Sequence, residues 1–145
     1  MEIRIRAFGD GSEIPKKYTC DGDNVSPEIE LNLDPGYYML LMNDPDAPSG
    51  TFTHWIIYNI PGETKILKEN IEKKPDLGVI MQGDNDFGHP GYGGPCPPKG
   101  HGYHHYHFNL YRTDKIIERL NPESVYSIVD KLQPVAHYMG IYKRD

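Results

Sequence analysis

Apolar residues occupy every second position in two segments near the N-terminus, Glu2–Phe8 and Glu28–Leu33. Because successive side chains of a strand point to opposite faces, each segment predicts a strand with one buried and one solvated face. The segment Tyr37–Met42 is continuously apolar and predicts a central strand covered on both sides. Aromatic and β-branched residues predict long strands at 53–60 and 103–111, and shorter candidates lie at 77–81 and 140–143.

One helix is signalled near the C-terminus. Asn121 is a good N-cap, Pro122 suits the first helical position, and apolar residues follow on one face at helical spacing. Pro134 is expected to break or kink this helix, which leaves open whether it continues through 135–138. Residues 114–120 form either a short helix or a turn.

Composition favours strands and turns over helices. The 145 residues include 15 Gly and 13 Pro, and residues 83–102 hold 7 of these Gly and 4 of these Pro. Such a chain has many turns and the length of one domain, 1–145. We therefore expect a mainly β fold: an antiparallel two-sheet β-sandwich with a C-terminal helix and small helical turns.

Charge and hydropathy exclude several partner classes. The net charge of −6 disfavours nucleic acid, which attracts basic surfaces. No apolar run is long enough to span a membrane, and no basic amphipathic helix indicates stable membrane attachment. The N-terminus lacks the apolar region of a signal peptide, so we expect a cytoplasmic protein. Cys20 and Cys96 are compatible with a disulfide, but two reduced thiols are expected in that compartment.

Three polar side chains fall on apolar strand faces beside loops rich in Gly and Pro. Strand alternation places His54 on the face of Ile56, Tyr58 and Ile60, and places His104 and Tyr106 together on the apolar face of the strand 103–111. Polar groups at strand ends next to loops are typical of a pocket at the mouth of a sandwich. The alternative is that the histidines belong to the core and are satisfied there by hydrogen bonds.

Two carboxylates follow the central strand. Alternation puts Asp44 and Asp46 on one face, where they can orient or charge the imidazoles. Together with glycine-rich backbone, this set suits a phosphate or carboxylate ligand. His105 and His107 face away from His104, so the histidine-rich stretch predicts no metal site, and no cofactor is expected. Ser26, Ser49 and Thr53 are candidate nucleophiles, but none lies in a nucleophile elbow.

Two motifs identify a family resemblance. The segments Asp44-Pro45-Asp46-Ala47-Pro48 with His54-Trp55, and Gly94–Lys99 with Gly102-Tyr103-His104-His105-Tyr106, resemble the two signatures of the phosphatidylethanolamine-binding protein family. The resemblance runs nearly end to end and is closest to the bacterial and archaeal (YbhB/YbcL-like) branch. It implies a sandwich with a small anion-binding cavity formed by Asp44, Asp46, His54, His104, Tyr106 and Gly94. It also implies a cis peptide bond near the first signature, with Ala47-Pro48 as the expected site.

Three functional hypotheses follow, in order of preference. The first is a non-enzymatic binding or regulatory protein that takes a small anion, such as phosphate or a phosphoryl head group. The second is a serine protease or kinase inhibitor that acts through protein contact with the loop 84–102. The third is a hydrolase with His54 or His104 as general base and Asp44 as its orienting group.

Overall fold

Nine strands form two sheets, and one α-helix covers part of the larger sheet. The computed structural model describes all residues from Met1 to Asp145. The strands are β1 (Glu2–Arg4), β2 (Ser12–Glu13), β3 (Ile29–Asn32), β4 (Tyr37–Asp44), β5 (Phe52–Pro61), β6 (Ile66–Leu67), β7 (Met81–Gln82), β8 (His104–Arg112) and β9 (Ala136–Tyr142). The helices are a short 3-10 helix (Lys16–Tyr18) and α1 (Pro122–Val129). No helix is long and apolar enough to cross a membrane.

The topology is that of a sandwich. The small sheet has the order β1-β3-β6, and the large sheet has the order β2-β9-β8-β4-β5-β7. Every pair of neighbouring strands is antiparallel except β2 and β9, which are parallel. The predicted mainly β, two-sheet architecture with a C-terminal helix is confirmed.

The large sheet is buried on both faces at its centre. Its inner face contributes Trp55 and Phe108 to the core between the sheets. Its outer face contributes Ile56 and Tyr58 to a second core that packs under Val125 of α1. The continuously apolar sequence of β4 follows from this arrangement, because α1 and the small sheet cover its two faces.

A β-bulge in β5 overturns one prediction. Register pairs Met42 with Trp55 and Asn43 with Thr53, so His54 is an extra residue opposite β4. The prediction that His54 shares a face with Ile56 and Tyr58 is therefore wrong. Those two residues lie under α1, whereas His54 packs against Tyr106 on the inner side of the sheet, with ring centroids 5.2 Å apart.

Element boundaries differ where long-range pairing acts. Helix α1 begins as predicted, since the Asn121 side chain accepts hydrogen bonds from the N–H groups of Glu123 and Ser124 at 2.9 Å. Strand β9 begins only two residues after Pro134, because Val135 N–H donates to the Leu110 carbonyl at 2.7 Å and docks the chain onto β8. Strand β1 ends at Arg4, well before Phe8, and residues 114–120 form bends and irregular backbone, without a helix.

Two local expectations are corrected. Cys20 and Cys96 form a disulfide with their Cα atoms 5.4 Å apart, so the prediction of reduced thiols is wrong. Closing a loop of 76 residues stabilises the fold by about 4 kcal/mol in the chain-entropy account. Disulfides are typical of oxidising compartments, and this one gives no support to the cytoplasmic expectation. All peptide bonds are trans, including Ala47-Pro48, and the Ala47 carbonyl accepts from Gly50 N–H at 3.1 Å to close a turn.

Candidate functional site

A cavity of about 520 Å³ opens at one end of the sandwich. Antiparallel pairing brings the end of β4 beside the beginnings of β5 and β8, because Asp44 is opposite Phe52 and Asn43 is opposite His107. Polar side chains at those three strand ends therefore meet in one place. The lining consists of Asp44, Ala47, Pro48, Ser49, Gly50, Thr51, Phe52, His54, Asp86, Phe87, Cys96, Pro97, Pro98, His104 and Tyr106.

The wall formed by β4 and β8 holds a buried aspartate–histidine pair. His104 Nδ1 lies 2.7 Å from Asp44 Oδ2, and the two side chains are 2% and 4% exposed. A carboxylate can only accept, so Nδ1 carries a proton, and in the neutral imidazole Nε2 presents its lone pair. His101 Nδ1 lies 2.6 Å from that Nε2. Asp46 N–H donates to the second Asp44 oxygen at 2.8 Å, so the carboxylate is held at both oxygens.

The wall formed by β5 holds a second buried histidine in a different environment. His54 Nδ1 donates to the Gly93 carbonyl at 2.7 Å. Burial lowers the His54 pKa to about 4, although the Gly93 hydrogen bond and the Asp44 charge act in the opposite direction. His54 is therefore neutral near pH 7, and Nε2 is its ring nitrogen left for a ligand. Phe52 and Phe87 pack around its ring, with centroids 4.8 and 5.5 Å away.

Tyr106 supplies a hydroxyl to the floor of the cavity. The residue is 1% exposed, and its ring packs against both His54 and His104. No protein group hydrogen-bonds its hydroxyl, yet the fold contains no fully enclosed polar side-chain atom without a partner. The hydroxyl therefore meets the open space of the cavity. Burial raises the Tyr106 pKa, so the group is a neutral donor across the physiological range.

Two predicted site residues lie outside the cavity lining. Asp46 is on the outer surface, where its Oδ2 accepts from the His105 backbone N–H at 2.8 Å and lies 2.7 Å from the His105 ring. It does not share the face of Asp44, because β4 ends at Asp44 and the chain turns there. Gly94 packs behind the wall and donates its N–H to Asn24 Oδ1 at 2.8 Å; a Cβ there would lie 2.2 Å from the Tyr18 carbonyl oxygen.

Several lining residues were not predicted. Asp86 accepts from Thr53 N–H at 2.7 Å, which ties the loop 84–88 to the start of β5. Phe87 stands at the rim and is 45% exposed. In the sequence, the only signal for these residues was a turn-rich segment that contains one aromatic residue. Which of its side chains reach the cavity depends on the conformation of the loop. The same holds for residues 47–51.

The structure separates the three candidate nucleophiles. Ser49 is part of the cavity lining. The Ser26 hydroxyl accepts from Ile71 N–H at 3.0 Å, and the Thr53 hydroxyl lies 2.7 Å from Tyr126 Oη on the α1 side of the sheet. No serine or threonine hydroxyl is hydrogen-bonded to His54 or His104, so no nucleophile–base pair is assembled. No three His, Cys, Asp or Glu side chains are arranged to hold a metal ion.

Comparison with known proteins gives consistent matches. A sequence profile described as "Phosphatidylethanolamine-binding protein" matches residues 4–137. A "UPF0098 protein" of Aquifex aeolicus is 47% identical over an alignment of 153 positions, which covers 100% of this chain and 90% of that protein. The crystal structure of YbcL from E. coli, described as a member of the mammalian PEBP family, superposes with a TM-score of 0.86 at 25% identity and covers 99% of this chain and 98% of that one. A carboxypeptidase Y inhibitor solved with its cognate proteinase has a TM-score of 0.63 at 16% identity, covers 99% and 83% of the two chains, and shares the fold alone.

Proposed function

Since the chain belongs to the phosphatidylethanolamine-binding protein family, we propose that it is a non-enzymatic binding protein whose cavity takes a small anion. The ligand class is phosphate or a phosphoryl head group. The observation that carries this proposal is the Tyr106 hydroxyl, a buried donor that faces the cavity and has no partner within the protein. The hydroxyl is free to donate to a ligand that enters the cavity, and an anionic oxygen is its strongest acceptor.

Charge predicts how the anion binds. The lining contains Asp44 and Asp86 but no Lys or Arg, and His54 is neutral near pH 7. An anion beside His54 Nε2 favours the protonated imidazole and raises its pKa above about 4. Binding therefore takes up a proton. Affinity rises as the pH falls, by up to tenfold per pH unit as long as His54 is neutral in the free protein and protonated in the complex.

The test is an NMR titration that follows the histidine side chains. Phosphate and phosphoethanolamine are expected to shift the His54 and His104 resonances and to leave His137 unmoved. Sulfate keeps the same charge across pH 5–8, so its affinity at several pH values isolates the proton taken up by the protein. Unmoved His54 and His104 resonances at saturating anion contradict the proposal.

A matched pair of tyrosine variants completes the test. Tyr106→Phe removes only the cavity hydroxyl and is expected to weaken phosphate binding roughly tenfold, the size of one hydrogen bond to a charged group. Tyr103→Phe removes an exposed hydroxyl one residue before β8, 3.4 Å from Glu13, and is expected to change nothing. Equal effects of both variants count against a role for Tyr106.

Protease or kinase inhibition is the second candidate. A loop that inhibits by contact must be rigid, and the disulfide at Cys96 fixes the middle of the segment 84–102 against the N-terminal region. The carboxypeptidase Y inhibitor uses the same fold. Assays against chymotrypsin-like proteases, carboxypeptidases and protein kinases test this candidate, with the disulfide intact and after reduction. No inhibition at micromolar protein argues against it.

A further inference from the structure

We infer that His101 and His104 form a two-histidine site for a divalent late transition metal, Zn²⁺, Ni²⁺ or Cu²⁺, at the edge of the cavity. The observation is the 2.6 Å separation between His101 Nδ1 and His104 Nε2. His101 lies in the loop before β8, and His104 is the first residue of β8. Neutral imidazole is a preferred ligand of these three ions. The metal site itself does not depend on the proposed anion binding.

The Asp44 carboxylate gives His104 the support typical of a metal ligand. Metal-bound histidines usually donate their second ring N–H to a carboxylate or carbonyl, which fixes the ring and the tautomer. His104 has this arrangement, with Nδ1 2.7 Å from the buried Asp44 carboxylate. The lone pair of Nε2 is therefore aimed at His101 before any ligand arrives. In the free protein the 2.6 Å contact is a hydrogen bond in which His101 Nδ1–H donates to His104 Nε2. Metal binding moves the His101 proton from Nδ1 to Nε2, so no proton need leave the protein.

The charge of the cavity lining favours a cation, although the basic residues Lys99 and Arg144 adjoin the loop that carries His101. The cavity lining carries the carboxylates of Asp44 and Asp86 and no Lys or Arg. The whole chain has a net charge of −6. A site that combines two neutral nitrogen ligands with nearby carboxylates attracts a divalent ion from solution.

The geometry requires only a small adjustment. Two nitrogens bound at about 2.0–2.1 Å lie about 2.9 Å apart at a right angle and about 3.4 Å apart in a tetrahedron, so His101 must move outward. His101 is exposed and lies between Gly100 and Gly102, both at positive φ of 76° and 85°. This short loop can make that shift, whereas His104 stays fixed by Asp44.

A second histidine pair provides an internal comparison. His107 Nδ1 and His137 Nε2 lie 3.0 Å apart on the outer face of the large sheet. No carboxylate hydrogen-bonds either ring. The two histidine pairs have similar nitrogen–nitrogen separations, but only His104 is hydrogen-bonded to a carboxylate. Comparing their metal affinities therefore tests whether this carboxylate makes the difference.

The experiment is competition between the oxidised protein and a chelating dye at pH 7.5, with the chloride salts of Zn²⁺, Ni²⁺ and Cu²⁺. One equivalent of metal is expected to bind. His101→Gln, a change at an exposed loop residue that leaves the fold intact, is expected to weaken binding at least tenfold. Asp44→Asn keeps both nitrogens and is expected to weaken it 10–100-fold. His137→Gln is expected to have no effect.

The outcomes are distinct. Absence of metal binding, or binding lost with His137→Gln and kept with His101→Gln, overturns the proposal.

A separate experiment, which rests on the proposed function, measures sulfate affinity with and without one equivalent of metal. The metal supplies the positive charge that the cavity lacks, and we expect sulfate to bind at least tenfold tighter in its presence. Metal binding without this change overturns the coupling and leaves the metal site standing, whereas absence of sulfate binding in both cases contradicts the proposed function.

Discussion

Two neighbouring aspartate–histidine pairs, formed by aspartates two residues apart and by adjacent histidines, differ chiefly in burial. Asp44–His104 and Asp46–His105 each join Nδ1 to Oδ2 at 2.7 Å. The side chains of the first pair are 4% and 2% exposed, and those of the second are 40% and 48% exposed. The end of β4 and the alternation of β8 place one pair in the cavity wall and the other on the outer surface.

The comparison teaches that equal geometry does not mean equal energy. In water an ion pair gains little, because solvent already stabilises both charges. Inside the wall, loss of one partner leaves the facing polar atom of the other without its hydrogen bond and without solvent. Two predictions test this difference, and a third concerns His54 in the opposite wall of the cavity.

The largest effect is expected for removal of the buried carboxylate. Asp44→Ala leaves His104 Nδ1–H and Asp46 N–H without their acceptor, and we expect the free energy of unfolding to fall by about 4 kcal/mol. Urea unfolding at pH 7 measures it. A loss below about 1 kcal/mol, as expected of an exposed pair, would remove the distinction between the two sites.

The opposite wall predicts a pH dependence of stability. Burial lowers the His54 pKa from 6.5 to about 4, so between these values the unfolded chain binds a proton that the folded chain does not. Stability is therefore lost as the pH falls from about 6.5 to about 4, by about 3 kcal/mol in total. His54→Gln is expected to remove this slope in denaturant unfolding at pH 7 and pH 4.5. The matched change His137→Gln is expected to keep it, and a slope retained in His54→Gln contradicts the assignment.

Much of the fold could be predicted because its signals are local. The apolar run of β4, the alternation of β8 and the Asn121–Pro122 start of α1 act over a few residues, and each lies where the sequence indicates. Strand β9 begins soon after Pro134 because pairing with β8 decides its limits. The Cys20–Cys96 bond depends on two segments that only the complete fold brings together.

The site shows the same division between local and long-range information. Alternation correctly grouped His104 with Tyr106, since β8 is regular along its length. It assigned His54 to the wrong neighbours, because one extra residue in β5 inverts the faces and no feature of the sequence marks that bulge. Asp46 was placed beside Asp44 because alternation was extended past the end of the strand. The contact of His101 with His104 depends on a loop between two glycines, which alternation does not describe.

The smallest effect is expected for the exposed pair, and it identifies the physical cause of the contrast. Partial burial acts to raise the Asp46 pKa, but the hydrogen bonds from His105 outweigh this effect and lower it. The contact therefore stabilises the fold above the usual carboxyl pKa, and this stability is lost as the pH falls through the lowered pKa. Asp46→Ala is expected to cost less than about 1 kcal/mol at pH 6, because both side chains are well solvated. That cost should shrink in 1 M NaCl, where screening acts within about 3 Å, and near pH 2, where the carboxylate is protonated. Urea unfolding under these three conditions measures it. A cost that equals that of Asp44→Ala, or that does not respond to salt and pH, shows that burial is not what separates the two pairs.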